Sequence, residues 1–209
     1  MREKEAATRI IFVRHGVTDF PTDRIYCDDK EDPALNGEGL LQASQAAELL
    51  SSVKAQALIS SPLARTRMTA QVISDATGLE VETDNRLVER KFGIWEGLYF
   101  NEIEEQYPGL YQDWKRNQAE FKPEGGESVF DLLGRVSEVI SDVKQRLAGK
   151  TVIVVSHVGP IRVLLADAMG ISVKSYRQIG IDYASLSCVD YGMSQNNLVL
   201  HNYHCRHQL

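Results

Sequence analysis

The chain has 209 residues, 43% hydrophobic and 25% charged, which suits one sizeable core in an ordinary globular protein. A net charge of -6 gives no basic footprint for nucleic acid or an anionic lipid surface, and no apolar run reaches membrane length. Three cysteines, Cys27, Cys188 and Cys205, are an odd set that fits reduced thiols, and the charged opening passes directly into a strand-like run, so a cytoplasmic location is expected.

In chain order, "RIIFVRHG" is a buried strand that ends on Arg14, His15 and Gly16. A loop leads to Asn36 and to "GEGLLQASQAAELLSSV", whose apolar residues recur at helical spacing. "ALIS" is a short strand, and "ARTRMTAQVISDATG" is a helix closed by Gly78. "LEVET" reads as a strand, and "FNEIEEQYPGLYQDWKRNQ" as two short helices divided at Pro108. "GGESVFDLLGRVSEVISDVKQRLAG" is a long amphipathic helix entered through Ser128 and Asp131. "TVIVVSH" is the strongest strand signal, "GPIRVLLADAMG" is a helix with Pro160 in its first turn, and "SLSCVDY" and "LVLHNYH" are closing strands. This alternation predicts an α/β fold, a three-layer α/β/α sandwich with a mostly parallel central sheet.

Ligands of such sheets bind beyond the carboxyl ends of the strands. Three strands end in polar chemistry: Arg14-His15-Gly16, Ser60-Ser61 with Arg65 beyond, and Ser156-His157-Val158-Gly159. Brought to one edge, they gather two guanidiniums and two imidazoles, a cluster that an anion must neutralise, and arginine forks match phosphate oxygens. An imidazole among arginines stays neutral, so His15 can attack phosphorus, while Arg14, Arg65 and His157 stabilise the equatorial oxygens. "RLVERKFGIWEG" adds Glu89, a carboxyl to protonate the leaving oxygen. The competing reading of Glu89 is a surface ion pair with Arg86 or Arg90.

Together, "FVRHGVT", "SSPLARTRMTA", "RLVERKFGIWEG", "GGES" and "VIVVSHVGPIR" resemble, in order, the motifs of the histidine phosphatase superfamily in its phosphoglycerate mutase-like branch. The resemblance runs from about Ile10 to Tyr191. It implies one catalytic domain over residues 1–209 with a small helical cap inserted at about 91–125. It also implies a phosphohistidine on His15, Glu89 as acid and base, and phosphate contacts from Arg14, Arg65 and His157, with Gly16, Thr18 and Val158 as further substrate contacts. No metal and no cofactor are implied. The partner is a small phosphorylated metabolite, and monomer and homodimer both remain open.

The sequence departs from the family pattern after RHG, where Val17 and Pro21 stand in place of an acidic residue and an asparagine, removing a side-chain phosphate contact. The segment "DRIYCDDKEDPAL" is longer and more acidic than usual. The length leaves no room for the extended insertion and tail of the true mutases, so phosphatase action on a small phosphomonoester is expected, with mutase-type phosphate transfer as the alternative. Asp23, Asp28, Asp29, Glu31 and Asp32 at the pocket mouth predict a substrate whose remainder is not strongly anionic. The tail residues His201, His204, Cys205 and His207 have metal-like composition, but alternation along a strand separates His201 from His204. Trp95, Tyr99, Tyr107, Tyr111 and Trp114 read as packing for the cap.

Overall fold

The computed structural model describes residues 7–25 and 31–204. Its six-stranded sheet consists of β1 (Thr8–Arg14), β2 (Ala57–Ser60), β3 (Val81–Thr83), β4 (Thr151–Ser156), β5 (Leu186–Tyr191) and β6 (Asn196–Tyr203), in the order β3-β2-β4-β1-β5-β6. The pairings β2–β3, β2–β4 and β1–β4 are parallel, whereas β1–β5 and β5–β6 are antiparallel. The two closing strands therefore form an antiparallel edge on a parallel centre.

Strand alternation divides the core between the two faces of the sheet. Ile10, Phe12, Val152 and Val154 pack into one cluster, with Leu132, Val136, Ile161 and Leu165 from helices α5 (Val129–Arg146) and α6 (Val158–Ala168). Ile11, Val13, Ile153 and Val155 pack into the other, with Ala46, Ala47, Leu50, Ala70 and Ile73 from α1 (Gly37–Leu50) and α2 (Ala64–Thr77). Helices on both faces of the sheet make the expected three layers. Burying both faces explains why β1 and β4 are continuous apolar runs.

The helix ends follow the capping chemistry. Asn36 accepts the Gly39 N–H at the start of α1, and Ser128 and Asp131 cap α5 reciprocally, each such cap being worth about 1 kcal/mol. Gly78 closes α2 in the left-handed conformation at φ 73°. Helix α1 stops short of Val53 because the Ser51 N–H and hydroxyl both turn back to the Glu48 carbonyl.

Between β3 and α5, two short helices, α3 (Phe100–Gln106) and α4 (Pro108–Arg116), build a separate small cluster from Ile25, Trp95, Ile103, Tyr111 and Trp114. Trp95 stacks on Phe121 with centroids 4.8 Å apart and meets Trp114 edge-on at 6.2 Å. These aromatics pack α3 and α4 together with Trp95 and Phe121.

Candidate active site

The parallel register places the polar strand ends side by side. Arg14 lies opposite Ser156, and Ser60 lies opposite Val155, so β4 carries His157 between the ends of β1 and β2. The His15 N–H extends the ladder to the Ser156 carbonyl at 3.1 Å, and the Ser61 N–H reaches the Val155 carbonyl at 3.0 Å. The two imidazoles meet edge to face, with centroids 5.2 Å apart.

His15 is buried, and its Nδ1 lies 2.8 Å from the carbonyl of Gly16. A carbonyl only accepts, so Nδ1 carries the proton and Nε2 keeps its lone pair. Burial, then Arg65 and Arg14, holds the His15 pKa well below the usual histidine value. Gly16 has no space for a side chain: a Cβ there would meet the Gly39 carbonyl of α1. Its N–H donates to Thr69 Oγ1 at 3.2 Å, which fixes the His15 turn against α2.

His157 is fully buried, with Nε2 2.8 Å from Ser61 Oγ, while Nδ1 has no hydrogen-bond partner among the described residues. Burial and Arg65 lead in lowering its pKa, with His15 and Arg14 adding to the effect. Arg65, 1% exposed, reaches the site from the first turn of α2 and lies 3.5 Å from Asp32. Arg14 donates to the Ile181 carbonyl at 2.7 Å and lies over the Tyr183 ring at 3.6 Å.

Glu89 does not pair with Arg86, which binds Asp84 and Asp142 instead. One Glu89 oxygen accepts the Arg90 backbone N–H at 2.7 Å, and the other accepts the Gly159 N–H at 3.2 Å in the first turn of α6. The Arg90 guanidinium turns away to the carbonyls of Glu127 and Phe121, at 2.9 Å each. Arg135 of α5 clamps the whole segment, donating to the carbonyls of Arg86, Val88 and Glu89 and pairing with Glu127 at 2.7 Å. Sequence reading missed this residue, since nothing in its helix marks it apart from an ordinary solvated arginine.

Val158 lines a cavity beside Glu89. Thr18 is buried, but its hydroxyl accepts the Phe20 N–H at 3.3 Å and its backbone bridges Leu35, so it shapes the loop. The acidic segment also differs from expectation. Glu31 pairs with Arg24 at 2.9 Å, and Asp32 caps α2 by accepting the Ala64 N–H at 2.8 Å. Asp28 and Asp29 lie outside the described residues, as do Cys205 and His207. The cavity is lined by Arg24, Arg90, Arg162 and Arg177, so the expected negative mouth is not what the described residues form. Arg162 stands four residues after Val158 on α6, a spacing that could have placed it on the same face.

The model of the histidine phosphatase superfamily, branch 1, matches residues 10–204. The chain belongs to this superfamily. It is 32% identical over 198 residues to phosphoserine phosphatase 1 of Hydrogenobacter thermophilus, covering 94% of this chain and 93% of that protein. It is 38% identical over 185 residues to a bifunctional protein of Mycobacterium tuberculosis, covering 88% of this chain and 50% of that longer protein. Among solved structures, the mycobacterial glucosyl-3-phosphoglycerate phosphatase superposes with a TM-score of 0.83 at 29% identity, covering 94% of this chain and 99% of that one.

Proposed function

We propose that this phosphatase hydrolyses a small phosphomonoester through a phosphohistidine on His15, without metal or cofactor. The observation that carries the reading is the 2.8 Å contact of His15 Nδ1 with the Gly16 carbonyl, which leaves Nε2 as the lone-pair nitrogen of a buried, neutral imidazole. Nε2 attacks phosphorus as the bond to the leaving oxygen breaks, and Glu89 gives that oxygen its proton. Water then attacks the phosphohistidine, Glu89 takes back a proton, and the P–N bond breaks to release inorganic phosphate.

Arg14, Arg65 and the Nδ1 of His157 supply donors to the equatorial oxygens, so cations fixed by the fold meet the charge that builds there. Ser61 supports His157 in this role: when its hydroxyl donates to Nε2, the proton of His157 is on Nδ1, directed to the phosphoryl group. A cytoplasmic setting belongs to the same proposal, supported by the free, buried thiol of Cys188.

The test is chemical trapping. Wild-type protein quenched during turnover should hold phosphate that is acid-labile and base-stable, and His15→Ala should hold none and turn nothing over. Full activity in His15→Ala would overturn the mechanism.

A further inference from the structure

Glu89, the proposed proton donor to the leaving oxygen, lines a cavity of about 210 Å³. Its walls come from Val158 and Arg162 on α6, from Arg90 beside Glu89, from Tyr176 and Arg177 on the turn after α6, and from Phe92 and Phe100 of the cap. The space equals the bulk-liquid share of roughly seven water molecules, enough for a leaving group of a few carbons.

Among the described residues, the charges in these walls are not balanced. Arg162 is half-buried and spends its Nε on the Ile179 carbonyl at 2.7 Å, yet makes no ion pair with a carboxylate among the described residues. Arg177 lies over the Trp114 ring at 5.2 Å and likewise has no carboxylate partner among them. Arg90 is 2% exposed; its Nε and Nη2 reach carbonyls, and its Nη1 is buried without a hydrogen-bond acceptor among the described residues. Among the described residues, Arg24 alone of these arginines has a carboxylate partner, Glu31. Glu89 is the sole carboxylate among the described lining residues, and both its oxygens are taken by backbone N–H groups.

Arg162 is half-buried and Arg90 buried, with Arg177 exposed at the rim, and holding like charges out of water is costly unless an anion enters. Consistent with that cost, burial, and then Arg14, pushes the Arg162 pKa below its ordinary value. In the proposed reaction the phosphoryl group undergoing transfer is held at His15 by Arg14 and Arg65, none of which is among the described residues lining this cavity. The cations of the cavity are therefore left for a second negative group.

We propose that Arg162 and Arg177, with Arg90 behind them, form a subsite for an anionic group on the leaving-group portion of the substrate, a carboxylate or a second phosphate. This deepens the phosphatase reading and rests on it. It also departs from the expectation drawn from the acidic loop: among the described carboxylates of that loop, Glu31 is engaged by Arg24 and Asp32 by Arg65 and the start of α2, whereas Arg162 and Arg177 line the same cavity as Glu89.

The test uses 3-phosphoglycerate and its amide, which differ only in that charge, with propane-1,3-diol bisphosphate and p-nitrophenyl phosphate alongside. Wild-type protein should prefer the carboxylate to the amide by at least about tenfold in kcat/KM, since a half-buried guanidinium pairs with the carboxylate and not with the neutral amide. Arg162→Gln and Arg177→Gln should each shrink that preference severalfold, chiefly by raising KM for the charged substrate, and Arg162→Lys should restore part of it. A bisphosphate turned over faster than the carboxylate identifies the second anion as phosphate, and the reverse order identifies it as carboxylate. Equal turnover of acid and amide by the wild type, with p-nitrophenyl phosphate hydrolysed, overturns the subsite and leaves the phosphatase reading standing. Hydrolysis of none of the four overturns both.

Discussion

His15 and His157 face each other edge to face at 5.2 Å, and both are held neutral, first by burial and then by Arg65. In an unfolded chain both would titrate near 6.5. Below that pH the unfolded state takes up protons that the folded state does not, so stability is lost as pH falls. Each imidazole contributes about 1.4 kcal/mol per pH unit until its lowered folded pKa is reached. Urea unfolding at pH 7.0 and 5.5 should therefore show a stability loss of about 2 to 3 kcal/mol, partly recovered by inorganic phosphate, which binds the folded state alone. No difference between the two pH values would mean that the imidazoles titrate as in free peptides.

Ser61 holds the Nε2 of His157 at 2.8 Å in a fully buried pair. Ser61→Ala leaves that nitrogen without a partner, at a cost of about 1 to 3 kcal/mol in stability. It also frees the tautomer of His157, so kcat should fall more than tenfold while KM changes little. Thermal melting and steady-state kinetics measure the two effects separately. A variant of wild-type kcat would show that the tautomer of His157 is fixed by other means.

The parallel centre of the fold was legible because β1 and β4 must be apolar on both faces, and their continuous runs announce it. The convergence of His15, His157, Arg65 and Glu89 was legible because the strand ends and the turn after β3 meet at one edge of the sheet. What escaped notice depends on partners distant in sequence. Whether Glu31 and Asp32 project a field or cap a helix is decided by where Arg24 and Ala64 stop. Tyr183 under Arg14, and Arg135 across the carbonyls of the Glu89 segment, are long-range contacts on residue types that are common on any surface. The antiparallel edge likewise has no local signal, since a closing strand reads the same in either direction.

Around His15 the fold supplies Arg14, Arg65 and His157 rather than a cluster of carboxylates, and a group of three or more metal-ligating side chains is absent among the described residues. Charge stabilisation by guanidinium does not require a divalent ion. Activity on p-nitrophenyl phosphate should survive exhaustive dialysis against EDTA within experimental error. Loss on chelation and return with zinc or magnesium would contradict this and direct attention to the histidines of the carboxyl-terminal tail.

Gly159 offers the sharpest separation of structure from chemistry. A Cβ at this position would meet the Glu89 carboxylate, and the next neighbour, Leu132, stands at an ordinary contact distance of 3.5 Å. The carboxylate is the far end of a flexible side chain and can swing aside, so Gly159→Ala should fold with stability changed by roughly 1 kcal/mol or less, within the range of an ordinary substitution. The displaced Glu89 would then no longer reach the leaving oxygen. Esters of poor leaving groups, which need the proton, should lose about a hundredfold or more in kcat, while p-nitrophenyl phosphate, whose phenolate leaves unaided, should lose far less. Glu89→Gln should show the same split between substrates, because it removes the proton rather than the position. If Gly159→Ala slows both substrate types equally, Glu89 acts on the phosphoryl group or on the fold, and another donor must serve the leaving oxygen.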